Sequence, residues 1–89
     1  IRDTLTGEET VIETDGVLIA IGWTPNSELF KGQLELMDNG GIVADDVRTS
    51  KQGVFVAGDI NDDKYRQLVT ACGSGCRAAI EVDRFLARG

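Results

Sequence analysis

The residues that could do chemistry gather in the second half of the chain. Asp59 follows Gly58 at the end of the run Val54-Phe55-Val56-Ala57, which Gly53 opens. A short unbroken run rich in β-branched and aromatic residues reads as a strand buried on both faces. Ligands of open α/β sheets sit at the carboxyl ends of strands, where Asp59 falls. A carboxylate there can accept hydrogen bonds from a sugar or sugar-alcohol hydroxyl; its plainer role would be to cap the following turn. The acidic run Asn61-Asp62-Asp63 lacks the fuller spacing of a calcium loop and reads as a solvated turn. Arg66-Gln67 stand where a helical pattern begins, and a cation in a first turn is mildly unfavourable to the helix dipole.

Cys72 and Cys76 are the only cysteines, spaced C-x-x-x-C, whereas a thioredoxin-type redox pair has two intervening residues. On a helix, residues four apart place their Cβ atoms about 5–6 Å apart. A disulfide wants about 3.5–4.5 Å, so a bridge here would be strained. With no histidine in the chain they also make a poor metal site. They read as small residues buried beneath a helix. No catalytic residue and no metal ligand is expected.

The elements that must position these groups follow from pattern. After a polar turn at Asn61–Lys64, Arg77, Glu81, Arg84 and Arg88 share one helical face, and Cys72, Cys76, Ala79, Val82 and Leu86 another. From Ala71 to Ala79 every residue except Arg77 is small, with glycine at 73 and 75. Each interior glycine costs a helix about 1 kcal/mol relative to alanine. Close backbone approach to a neighbouring sheet, or to a ligand at the helix N-terminus, would compensate. Gly58-Asp59 tips that balance towards a ligand.

Upstream, Ile1–Gly7 reads as a strand entering a hairpin, Thr10-Val11-Ile12-Glu13 as its return, and Asp15-Gly16 as a turn. Val17-Leu18-Ile19-Ala20-Ile21-Gly22 reads as a second central strand, and Pro25 then breaks regular structure. Trp23 reads as an amphipathic anchor, with a buried ring and a wet N–H. Leu29, Phe30, Leu34 and Leu36 are expected in the core. Asn39-Gly40-Gly41 is a turn signal and Ile42-Val43-Ala44 a short strand.

The ordered set Gly58-Asp59, Arg66-Gln67 and T-x-x-G-x-G-x-x-A-A from Thr70 to Ala79 resembles the flavin-binding end of the two-dinucleotide-fold flavoprotein reductases. Within them it is most similar to the bacterial NADPH-dependent thioredoxin reductases. D-G-V-L-I-A-I-G-W-T-P-N resembles those enzymes' exit from the pyridine-nucleotide domain, with Trp23 where relatives often carry histidine or another polar residue. The resemblance covers nearly the whole chain and implies an α/β C-terminal fragment of a two-domain, Rossmann-like FAD/NAD(P)-binding flavoprotein reductase. Residues 1–26 would close the NAD(P)-binding domain, and residues 27–89 would form the C-terminal half of the FAD-binding domain. It implies that Gly58, Asp59, Arg66, Gln67 and Leu68 contact FAD, and that the redox C-x-x-C lies upstream. It also implies NADPH as electron donor, thioredoxin as partner, and a cytoplasmic homodimer. The alternatives are a thioredoxin-reductase-like ferredoxin–NADP reductase, the flavoprotein of an alkyl hydroperoxide reductase system, or a non-catalytic assembly fragment.

Size and composition set the outer bounds. A chain of 89 residues makes one small domain burying about 60–65% of its unfolded surface. An enzyme using two nucleotide cofactors needs more, so the chain, which opens Ile1-Arg2-Asp3 without a leader pattern, is expected to be the C-terminal part of a longer protein. Its net charge of −6, with no basic cluster, argues against a nucleic-acid partner. Two cysteines make no disulfide framework, which fits a reducing compartment. With no G-x-G-x-x-G after a strand and no C-x-x-C, the chain alone is expected to be inactive.

Overall fold

The computed structural model describes all of residues 1–89. Regular structure is sparse. A 3-10 turn spans Glu28–Phe30, two short antiparallel strands follow at Ala44–Asp45 (β1) and Arg48–Thr49 (β2), and one long helix, α1, spans Leu68–Ala87. β1 and β2 pair Ala44 with Thr49 and Asp45 with Arg48. Asp46 makes the turn between them at φ 54°, a left-handed conformation that aspartate tolerates better than most residues. Val47, fully buried, points into a small core with Ile42 and Val56.

The expected strand 54–57 is only partly realised. Phe55 bridges to Arg48, and the Val56 N–H donates to the Val47 carbonyl at 2.9 Å. Val56 alone is buried; Val54, Phe55 and Ala57 are half-buried. A central strand needs a paired strand on each edge and a packed layer over each face, and this chain pairs it on one edge only, with residues 47–49. The short strand expected at 42–44 falls later, at Ala44–Asp45, with Ile42 bridged to Leu36. The turn at 39–41 forms as expected, with the Gly41 N–H donating to Asn39 Oδ1 at 2.9 Å.

The first 24 residues differ most from expectation. A hairpin closes from Ile1 to Thr10, with Arg2 opposite Glu9. Its expected return strand and the run Val17–Ile21 have no strand partner, and Leu18 and Ile21 are more than nine-tenths exposed. Their apolar pattern is that of a central strand, but the one sheet of the chain, the two-residue pair β1–β2, does not take it up. Leu29, expected in the core, is also exposed, while Phe30, Leu34 and Leu36 are half-buried.

Helix α1 forms where the periodicity places it, but turned about its axis. Ala71, Ser74, Ala78, Glu81 and Val82 face the body of the chain, while Cys72, Cys76, Ala79 and Leu86 are exposed. Of the expected apolar face only Val82 packs. Polar ties choose the orientation: Glu81 accepts from Arg48 Nε at 2.9 Å, and Arg77 Nε donates to Asp46 Oδ1 at 2.8 Å. Phe85 adds an edge-on contact to Phe55, with ring centroids 5.8 Å apart. The cysteines are therefore free and exposed, not buried beneath the helix. No helix is long and apolar enough to cross a membrane.

The radius of gyration is 19.3 Å, against about 12 Å for a compact domain of this length. Accessible surface is 7438 Å², against about 5,100 Å² for a folded protein of this mass. With few backbone hydrogen bonds in the first third, local protection must be uneven. In the isolated 89-residue chain, amides of residues 17–21 should exchange within about tenfold of an unstructured peptide, and those of 72–84 at least about a hundredfold slower. Hydrogen exchange read by NMR checks this, and protection of 17–21 equal to that of α1 would contradict the fold described.

Candidate functional site

The turn from Gly58 to Leu68 carries the candidate site, and two side chains build it. The first is Ser74, which is buried. The Gly58 N–H donates to Ser74 Oγ at 2.8 Å, and that hydroxyl donates to the Ala71 carbonyl at 2.9 Å. The end of the apolar run is thus pinned to the second turn of α1. Gly58 has φ 87°, and a Cβ added there would meet nothing within 4 Å. Glycine is required for its backbone conformation, and the space above it is open.

The second is Asp62. Its Oδ1 accepts the N–H of Lys64 (2.9 Å) and of Tyr65 (2.8 Å), and its Oδ2 accepts the N–H of Arg66 at 2.9 Å. Thr70 Oγ1 lies 3.3 Å from Oδ2, and the Asp62 carbonyl accepts Arg66 Nε at 3.0 Å. The run 61–63 is therefore not merely a solvated turn: Asp62 is half-buried and fully engaged. Those donors pull its carboxyl from 3.8 down to about 2, the Tyr65 N–H foremost, then those of Arg66 and Lys64. A depressed folded pKa stabilises the turn fully above the ordinary carboxylate value. That contribution fades as pH falls from about 4 through about 2.

Arg66 sits at φ 50°, a conformation costing a non-glycine residue about 1–2 kcal/mol. Asp62 holds its backbone, and the Trp23 ring lies under its guanidinium at 4.1 Å from the centroid, a cation–π contact. Trp23 is thus an anchor, with its ring half-exposed and covered by Arg66 instead of buried. Gln67 is the N-cap of α1, its N–H donating to Thr70 Oγ1 at 3.2 Å. Leu68, the first helical residue, is exposed. Asp59 is exposed and its carboxylate accepts no hydrogen bond from the chain, so the turn-capping role falls to Asp62 three residues later. Asp59 and Arg66 line one narrow crevice with Pro25 and Asn61.

The glycines of α1 are not explained by packing within the chain. A Cβ at Gly75 would meet nothing within 4 Å, and one at Gly73 only the Arg77 side chain at 3.8 Å. No three acidic, cysteine or histidine side chains converge as a metal site. What the turn can do is bind: it offers an unpaired carboxylate, a stacked guanidinium and the start of a helix, whose first N–H groups have no carbonyl partner within the helix.

Asp59, Arg66, Gln67 and Leu68 are thus gathered on one turn, as the sequence places them. Asp62 and Ser74 were not singled out in it. An aspartate followed within four residues by several backbone donors is a known turn-former, but Asn61 and Asp63 compete for that role. Ser74 is hidden among equally small neighbours.

A family described as pyridine nucleotide-disulphide oxidoreductase matches residues 1–75. A thioredoxin reductase of Mycolicibacterium smegmatis is 51% identical over 98% of this chain and 29% of its own length. One of Streptomyces clavuligerus is 48% identical over 98% of this chain and 28% of its own. Among solved structures, T. acidophilum thioredoxin reductase superposes with a TM-score of 0.79 at 41% identity, covering 91% of this chain and 27% of that one. Lactococcus lactis thioredoxin reductase in its FR conformation gives 0.83 at 31% identity, covering 99% and 29%. The chain spans less than a third of the length of these relatives.

Ser74→Ala should lower stability by about 1–3 kcal/mol, the cost of leaving the Gly58 N–H without its partner. Cys76→Ala, on the exposed side of the same helix, should stay within about 0.5 kcal/mol of wild type. Urea unfolding followed by far-UV circular dichroism checks both, and equal midpoints for Ser74→Ala and wild type would remove the pin from the account.

Proposed function

The chain belongs to the pyridine nucleotide-disulphide oxidoreductase family, and from that premise we propose that it is part of an NADPH-dependent thioredoxin reductase, in which it forms one wall of the FAD site. Relatives about half identical to it over nearly its whole length carry the name thioredoxin reductase. They favour thioredoxin over ferredoxin or a peroxide-reducing partner as the electron acceptor. Bound FAD would carry electrons from NADPH to a cysteine pair outside this chain. Residues 1–26 would close the NADPH domain and residues 27–89 belong to the FAD domain; Pro25 and the buried Ser27, whose hydroxyl donates to the Gly40 carbonyl, support a division there. The working form would be a cytoplasmic homodimer.

The residues fit a flavin. Asp59 carries the reading: its carboxylate is exposed at the end of the apolar run and spends no hydrogen bond on the chain. It would accept from hydroxyls of the flavin's ribityl chain. Arg66, Gln67 and Leu68 would meet the ring and its side chain, partly through backbone groups, while Gly58 leaves open space above the turn. The start of α1 would turn N–H groups and the positive end of its dipole towards the edge of the ring that gathers negative charge on reduction. The space beside Gly75 lets the helix backbone lie close to that ring.

In the whole protein, Asp59→Ala should lower FAD affinity roughly ten- to a hundredfold, the worth of hydrogen bonds to a charged group, with little change in far-UV circular dichroism. Flavin content and titration of the apoprotein measure this. Unchanged affinity would make Asp59 an ordinary surface residue.

A further inference from the structure

Asp62 is the most heavily used polar side chain of the turn, and its two oxygens accept from the backbone. Three consecutive N–H groups, those of Lys64, Tyr65 and Arg66, converge on its two oxygens, with the Thr70 hydroxyl beside them. The next residues are Arg66, Gln67 and Leu68, the stretch assigned above to the flavin. We propose that Asp62 is the positioning residue of the cofactor turn: its carboxylate holds Arg66 in the left-handed conformation from which Gln67 and Leu68 start α1 in register with the flavin. The proposal rests on the flavin reading and adds to it a residue that would touch no part of the cofactor.

Several observations support it beyond the bond count. Arg66 stands at φ 50° without being glycine, so something must hold it there. Its guanidinium is fixed at both ends, Nε donating to the Asp62 carbonyl and the planar group stacking on Trp23. Thr70 couples the clasp to the helix, since its hydroxyl oxygen lies near Asp62 and also accepts the Gln67 N–H. A carboxylate suits this task and an amide does not. Three N–H donors converge on two acceptor oxygens, whereas asparagine presents one acceptor and places an N–H₂ against the Arg66 N–H or the Lys64 and Tyr65 pair. The low carboxyl pKa agrees with a group that stays ionised in place. Neighbouring Asp63 makes no hydrogen bond and is exposed, so it serves as the internal control.

The test uses the flavin-loaded whole protein, with Asp62→Asn beside Asp63→Asn and wild type. Three quantities are read: exchange rates of the amides of residues 64–66, FAD affinity, and the visible absorption and circular dichroism of bound flavin. Asp62→Asn should speed exchange of those amides at least about tenfold, weaken FAD by about tenfold or more, and shift the flavin bands; Asp63→Asn should do none of these. A merely structural aspartate would leave the bands of whatever flavin remains bound unchanged. If Asp62→Asn loosens the amides while FAD affinity and spectrum stay wild type, the proposal is overturned. Should Asp62→Asn not fold, Thr70→Val removes the hydroxyl that ties Gln67 to the helix start beside Asp62 and should give a smaller loss, about threefold in FAD affinity, with the same direction of band shift; no loss and no shift overturns the proposal. A wild-type protein that takes up no FAD overturns the flavin reading, and this proposal with it, before any substitution is made.

Discussion

Two polar side chains do for this chain what a large core does in most domains. Only Ile42, Val47 and Val56 form a buried apolar cluster, too little to set the angle of a 20-residue helix. Ser74 and Asp62 set it instead. One ties the Gly58 amide to the helix, and the other gathers the backbone of residues 64–66 and reaches Thr70. Buried or half-buried hydrogen bonds are directional where apolar contact is not, so a few of them can specify a turn. The ion pairs of Arg48 with Glu81 and Arg77 with Asp46 then select which side of α1 faces inward.

That arrangement explains which parts were legible in the amino-acid sequence. The helix, its starting point after Arg66-Gln67, and the turns at 39–41 and 61–64 depend on neighbours close in the chain, and they form where expected. The strands at 17–21 and 54–57 depend on sheet partners, and their β-branched pattern states a need for burial that this chain cannot itself meet. The inward face of the helix differs from the expected one for a related reason. Leu68, Val69, Cys72, Cys76, Ala79, Ile80 and Leu86 make the outer side of α1 as apolar as its inner side, so periodicity cannot choose between them. Long-range pairs such as Arg48 with Glu81 decide, and nothing in a local pattern reveals them. The same limit hid Asp62, whose role is visible only once the amides of 64–66 are seen to converge on it.

At the site the conformational costs fall on the chain and not on a ligand. Gly58 and Arg66 both take left-handed backbone angles, and both are held by hydrogen bonds already made within the turn. A turn built this way offers Asp59 and the helix start in place, so a cofactor need not order them on binding. The glycines of α1 fit the same picture. They weaken the helix, and no atom of this chain comes near enough to Gly75 to repay that cost.

We propose that the face of α1 beside Gly75 is kept bare so that a flavin can approach it. The direct measurement is FAD affinity and flavin reduction potential of the whole protein with Gly75→Val, beside Arg84→Ala on the exposed charged side. Helix propensity alone makes valine neutral or slightly stabilising relative to glycine. Gly75→Val should lose flavin and shift its potential, while Arg84→Ala should match wild type. A Gly75→Val protein with wild-type flavin affinity and potential would contradict it.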